Sequence, residues 1–155
     1  ILTHIEDARE KGAQVILAQD GGVCDITDVN DYPEIKALHP DRFILPTLLL
    51  GVTDDMLAAK EETFGPIICI TVFDDIEKAI ESANATDYGL GAVVYGRKDA
   101  EEVASGLEAG MIGINAGASG GGDCPWVGAK MSSFGYHGSP DGHRQFTRPR
   151  VINMR

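Results

Sequence analysis

The sequence predicts an α/β domain built on a parallel sheet. Between Ile67 and Asn115, three short apolar, β-branched runs alternate with two segments of helical periodicity. Each helical segment opens on an Asp followed three residues later by a Glu, a helix-start pattern. No apolar run approaches the roughly 18 residues that a membrane-spanning helix needs.

The elements follow in order. Ile1, Ile5 and Ala8 recur at helical spacing, and Gly12 stops that helix after Arg9, Glu10 and Lys11. Residues 14–18 (QVILA) read as a short buried strand. Asp20 to Pro40, rich in Gly, Asp and Pro, read as a surface loop. Residues 42–52 hold the run FILPTLLLGV, which Pro46 breaks, so a bent or edge strand is expected there. Residues 67–73 (IICITVF) read as a strand buried on both faces, with Cys69 a core residue. Asp74 then caps a helix that gathers Ile76, Ala79, Ile80 and Ala83 on one face. Residues 91–95 (GAVVY) form the next buried strand. Asp99 caps a second helix, with Val103 and Leu107 facing inward and Gly110 as its stop.

Residues 111–115 (MIGIN) complete two consecutive βαβ crossovers. Ligands of such sheets collect at the carboxyl ends of the strands, which makes the loop Asn115 to Pro125 a functional candidate. Residues 117–142 read as loop and 141–146 as a short helix. Residues 150–154 (RVINM) read as a last strand, which needs a sheet edge to pair with, such as another subunit offers.

Composition narrows the partners. The chain has 155 residues, 43% hydrophobic and 24% charged, an ordinary globular balance. Its net charge of −11 would repel phosphate backbones, which disfavours nucleic acid as a partner. Cys24, Cys69 and Cys124 form no CxxC pair and are odd in number, so a reducing, cytoplasmic compartment is expected. Residues 1–12 carry too many charges for a signal peptide. The chain starts with Ile1 rather than Met, inside a helical pattern, and a fragment of a longer protein is expected.

Several residues invite chemistry. Within Glu61-Glu62-Thr63-Phe64-Gly65-Pro66, a carboxylate suits the two hydroxyls of a ribose and an aromatic suits a flat ring. The plainer reading is an acidic helix end before a Gly-Pro turn. Gly117 to Gly122 lacks the ending of a phosphate-binding loop, and Gly89-Leu90-Gly91 lacks the dinucleotide fingerprint. Cys124, beside Pro125, is tempting as a nucleophile but has no His near in sequence. His4, His39, His137 and His143 show no metal-ligand spacing; His137 and His143 flank a turn. Trp126, the single Trp, either walls a ligand site or plugs its loop onto the core.

Together these segments resemble the C-terminal part of an NAD(P)-dependent aldehyde dehydrogenase. Residues 60–66 (KEETFGP) are similar to the family's KEExFGP. Residues 85–92 resemble its N-x-T-x-Y-G-L-x-A region, and 107–115 (LEAGMIGIN) its L-x-A-G-x-V-x-V-N. Pro125 to Lys130 resemble PFGGxK, Phe146-Thr147 the "Y-T" before the last strand, and Phe43 to Thr47 and Asp55-Met56 also fit. The resemblance runs through essentially the whole chain, in order. It implies a parallel-sheet fragment of the catalytic domain over residues 1–147 and an oligomerisation strand over 148–155.

The resemblance also implies roles. Glu62 would bind the nicotinamide-side ribose of NAD or NADP, and Phe64 would pack near the nicotinamide. Ala118, Gly120, Cys124 and Trp126 would line the mouth through which a small-molecule aldehyde enters, and the small residues from Ala116 to Gly122 would leave it open. The parent would oxidise the aldehyde to a carboxylic acid as a homo-oligomer. The family's thiolate, general-base Glu and cofactor domain come from segments before this chain, so the isolated chain is expected to be inactive. The alternative is a non-catalytic interaction module derived from this fold. Two departures stand out. Trp126 and Val127 replace a Phe and a Gly, and Ser132 to His137 lack the Arg-Glu pair of S-G-x-G-R-E.

Overall fold

The computed structural model of the protein describes residues 1–17, 44, 46–119 and 123–154. The loop expected over Asp20 to Pro40 and the candidate Gly120 lie outside these residues. Two compact units divide the chain, Ile1–Asp74 and Asp75–Arg155.

In the first unit, helix α1 (Leu2–Glu10) buries Ile5 and Ala8. Gly12, at φ +98°, takes the left-handed conformation that turns the chain out of the helix. Strand β1 (Gln14–Leu17) runs antiparallel to β2 (Thr47–Leu50), and β2 runs parallel to β3 (Ile67–Ile70). The strand order is β1-β2-β3, so the run broken by Pro46 supplies the central strand rather than an edge. Proline is tolerated because it sits just outside the ladder; the first N–H needed, that of Thr47, donates to Pro66 O at 2.9 Å.

Helix α2 (Leu57–Lys60) lies in the connection from β2 to β3. Its own N-cap, Met56, offers no side-chain acceptor, and α1 supplies one: Asp7 Oδ2 accepts the Leu57 N–H at 2.7 Å. Lys11 Nζ holds the other Asp7 oxygen at 2.8 Å and donates to Asp55 O at 2.7 Å. These bonds, Lys11 first and the Leu57 N–H second, hold the Asp7 carboxyl below its ordinary range. Ala8, Ala13, Leu49, Val52 and Met56 close into one buried cluster beneath them.

The expectation of a strand buried on both faces fails at β3. The ladder ends at Ile70, and Ile68 and Val72 are 65% and 85% exposed. Among the described residues β3 has only β2 as a neighbour, and three of its four residues are exposed. Cys69 is likewise exposed rather than core, although its thiol faces Ala58 O at 3.8 Å and partial desolvation raises its pKa.

The second unit opens with helix α3 (Ile76–Asn84). Asp75, not Asp74, is its cap: Oδ1 accepts the N–H groups of Glu77 at 2.9 Å and Lys78 at 3.5 Å. Strand β4 (Tyr88–Gly89) precedes β5 (Gly91–Val94), helix α4 (Ala100–Gly106) and β6 (Met111–Ile114). β5 and β6 pair in parallel from Gly91↔Met111 to Val94↔Ile114, which is the expected second crossover. The expected first crossover runs from β3, in the first unit, to β5, in the second; among the described residues β3 bonds to β2 and β5 to β6. β5 is also not fully buried; its alternate residues are exposed.

Asp99 holds the N-cap position of α4 but makes no cap bond with its side chain. Ala100 and Ala104 form the buried face, with Val103 and Leu107 half-buried. The helix stops at Gly106, before Gly110. Gly110 serves a different purpose, since a side chain there would run into the Val127 carbonyl.

Beyond β6, the region expected as loop holds three two-residue strands. β7 (Trp126–Val127) pairs with β9 (Tyr136–His137), and β8 (Ala129–Lys130) pairs with β4. The short helix α5 (Pro140–Arg144) is capped by Ser139. Residues 151–154 form no strand, and Val151 and Met154 are 91% and 86% exposed. Among the described residues no sheet edge takes this segment.

Candidate active-site segments

The segment after α2 is extended at its start: Glu61 has φ −114° and ψ 143°. In extended backbone, successive side chains fall on opposite sides. Both Glu61 and Thr63 reach a single imidazole on α1. His4 Nδ1 lies 2.6 Å from Thr63 Oγ1, and Nε2 lies 3.3 Å from Glu61 Oε2. His4 is largely buried, with 13% of its side chain exposed.

Glu62 and Phe64 make neither of these contacts. Glu62 is exposed, and among the described residues its carboxylate makes no hydrogen bond or ion pair. Phe64 is 87% exposed. Of two adjacent glutamates, then, one is spent on α1 and the other is free to accept bonds, with an uncovered ring two residues on. This pair suits a ribose and a planar heterocycle.

The second unit carries the other candidates. Asn115, at φ +53°, ends β6. Its Nδ2 donates to Gly96 O at 2.8 Å, and its Oδ1 accepts the Gly96 N–H at 3.0 Å. This two-point clamp joins the loops that leave β5 and β6 at their carboxyl ends. Ala118 is half-buried, near Gly91, and Cys124 is exposed.

Trp126, on β7, is 42% exposed and stacks on His137, with ring centroids 6.4 Å apart and planes 18° apart. It is therefore not a plug in the core, and His137 serves it as a stacking partner rather than only bonding within a turn. Glu62 and Phe64 belong to the first unit; Ala118, Cys124 and Trp126 belong to the second.

Sequence reasoning missed His4, Asn115 as a clamp, and His137 as a stacking partner. His4 meets Thr63 across 59 positions, beyond any local periodicity. Asn115 did carry a signal, a polar residue ending an apolar strand. Among the described residues no group of three or more His, Cys, Asp or Glu could hold a metal ion. No described helix is long and apolar enough to cross a membrane.

Parallel strand pairs joined by helices, β2–α2–β3 and β5–α4–β6, define an α/β fold. The aldehyde dehydrogenase family matches residues 1–152, and the chain belongs to that family. It is 37% identical to a succinate-semialdehyde dehydrogenase [NADP(+)] of Deinococcus radiodurans over 96% of this chain and 28% of the relative. It is 36% identical to the mitochondrial succinate-semialdehyde dehydrogenase of Rattus norvegicus, over 96% and 26%. A solved structure of succinic semialdehyde dehydrogenase from Streptococcus pyogenes, in complex with NADP+, superposes with a TM-score of 0.72. Its identity is 32%, over 99% of this chain and 31% of that one. The chain thus spans about a quarter of the length of the curated relatives it matches.

Proposed function

We propose that this chain is the C-terminal part of an NAD(P)+-dependent aldehyde dehydrogenase. Residues 1–147 would belong to its catalytic domain and 148–155 to an oligomerisation strand. The whole enzyme would convert an aldehyde and water to a carboxylic acid, with NAD(P)+ reduced to NAD(P)H and one proton released. Succinate semialdehyde is the substrate that the relatives' names favour. A cytoplasmic homo-oligomer is the accompanying reading.

The observation that carries the proposal is the exposed Glu62 carboxylate, without a bond among the described residues, two positions before the uncovered Phe64 ring. Their chemistry fits the cofactor: Glu62 would accept both ribose hydroxyls, and Phe64 would pack on the nicotinamide face. The cofactor, when bound, supplies the hydride acceptor. Ala118, Gly120, Cys124 and Trp126 would line the aldehyde's path. The residues for thioacylation and for water activation are taken to lie outside this chain, so the isolated chain would not turn over.

Glu62→Gln in the full-length enzyme tests the reading. Charge-assisted hydrogen bonds are worth about 1.5–3 kcal/mol, so a rise of about 10-fold or more in the cofactor KM is expected. Unchanged cofactor affinity and turnover would sink it. In the same assay the chain alone should form no NAD(P)H.

A further inference from the structure

We infer that His4 is a positioning residue for the cofactor: its imidazole, bonded to Thr63 and Glu61, turns Glu62 and Phe64 outward as a preset pair. The inference rests on the reading of Glu62 and Phe64 as cofactor contacts, and it names what holds them.

The argument begins with the backbone. A segment between a short helix and a strand has no ladder of its own to fix its side chains. Its local bonds include two tight ones, Gly65 N–H to Thr63 O at 2.7 Å and Ile67 N–H to Gly65 O at 2.8 Å. With the Glu61 N–H to Leu57 O at 2.8 Å they fix the backbone at both ends, but none of them holds the side chains of residues 61 and 63. Fixing the Glu61 and Thr63 side chains to one imidazole holds the segment at two points on either side of Glu62. His4 makes both contacts, from a helix whose Ile5 and Ala8 are buried. A rotation of the segment would turn Glu62 toward α1 and lose the carboxylate to the cofactor.

The two contacts are unequal. Glu61 is 62% exposed, and exposed ion pairs contribute little. The Thr63 contact is shorter and partly buried, so it carries most of the positioning. Both imidazole nitrogens are satisfied in either protonation state, since the Thr63 hydroxyl can donate or accept. The latch therefore holds with neutral or charged His4.

The test uses the full-length enzyme and a near-isosteric pair. Thr63→Val removes the hydroxyl and keeps the shape; Thr63→Ser keeps the hydroxyl. Thr63→Val is expected to raise the KM and Kd for NAD(P)+ about 3- to 10-fold, the size of one hydrogen bond, with kcat at saturating cofactor unchanged. Thr63→Ser should restore wild-type affinity, and His4→Ala added to Thr63→Val should cost no further affinity.

A purely structural role would instead lower the melting temperature and the active fraction while leaving KM alone, and that result overturns the inference. Wild-type affinity in Thr63→Val, with weakened affinity in Glu62→Gln, overturns the latch and leaves the cofactor reading standing. Unchanged affinity in Glu62→Gln removes the cofactor reading and the latch with it.

Discussion

The two units of the chain are held together by different means. The first closes on a continuous apolar cluster of Ala8, Ala13, Leu49, Val52 and Met56, with Leu49 and Met56 fully buried. Among its described residues the second buries only Ala100, Ala104 and Met111 of its hydrophobic side chains, while Val93, Tyr95 and Phe146 stay exposed. Its ties are polar and sit at element ends. Asn84 bridges Gly106 O and the Glu108 N–H, each at 2.8 Å. Lys130 Nζ joins Asn84 O, Thr86 O and Glu108 at 2.6, 3.0 and 2.8 Å. Apolar burial fixes a unit without regard to direction, whereas hydrogen bonds to backbone fix particular loops in particular orientations. The contrast fits the candidate roles: a framework that carries the cofactor segment, and a set of oriented loops at a substrate mouth.

The most severe way to break this contrast is to hollow out the first unit. Leu49→Ala removes a fully buried side chain and should cost about 2–5 kcal/mol, seen as a lower urea midpoint. Val93→Ala, at a residue 42% exposed in the second unit, should cost less than about 1 kcal/mol by the same measurement. Equal losses would mean that the second unit has an apolar core comparable to the first.

A smaller effect sharpens the polar side of the first unit. Asp7 titrates below its ordinary 3.8 in the folded chain, chiefly through Lys11 and then through the Leu57 N–H. A depressed carboxyl contributes stability that is present above its unfolded value and lost as pH falls through the folded one. Asp55 shifts the same way, held chiefly by the Thr53 hydroxyl. The urea midpoint should therefore fall as the pH drops below about 4, and less steeply in Asp7→Asn. An identical acid limb in the variant would show that Asp7 does not link α1 to α2 energetically.

The same contrast explains what was legible in the sequence. Local signals worked where an element carries its own pattern. Ile5 and Ala8 on α1, Gly12 as its stop, and the parallel β5–α4–β6 crossover follow from periodicity and glycine. They failed where the partner is distant or the choice lies between neighbours. Of Asp74 and Asp75, either could cap α3, and only the start of the helix at Ile76 decides for Asp75. Pro46 correctly excluded a helix but not a central strand, since its position relative to the ladder depends on the β3 register. The burial of β3 was overestimated because apolar content reports what a strand can cover, not which neighbours it has. At the site, Glu62 and Phe64 were visible as residue types, while the imidazole bonded to Thr63 between them comes from 59 positions away.

The smallest expected effect concerns the residue that looks most reactive. Cys124 is exposed and follows a glycine-rich stretch, the setting in which a nucleophile is sought. A thiol becomes a nucleophile when a base, a positive charge or a helix N-terminus supports its thiolate. Among the described residues the Cys124 thiol makes no hydrogen bond, and the histidine of the β7–β9 ribbon, His137, is stacked on Trp126. Cys124→Ser in the full-length enzyme should therefore leave kcat unchanged, with at most a change in the aldehyde KM from its place at the mouth. A collapse of kcat with intact cofactor affinity would move the chemistry into the second unit, and the division between a cofactor framework and a substrate mouth would have to be redrawn around Cys124.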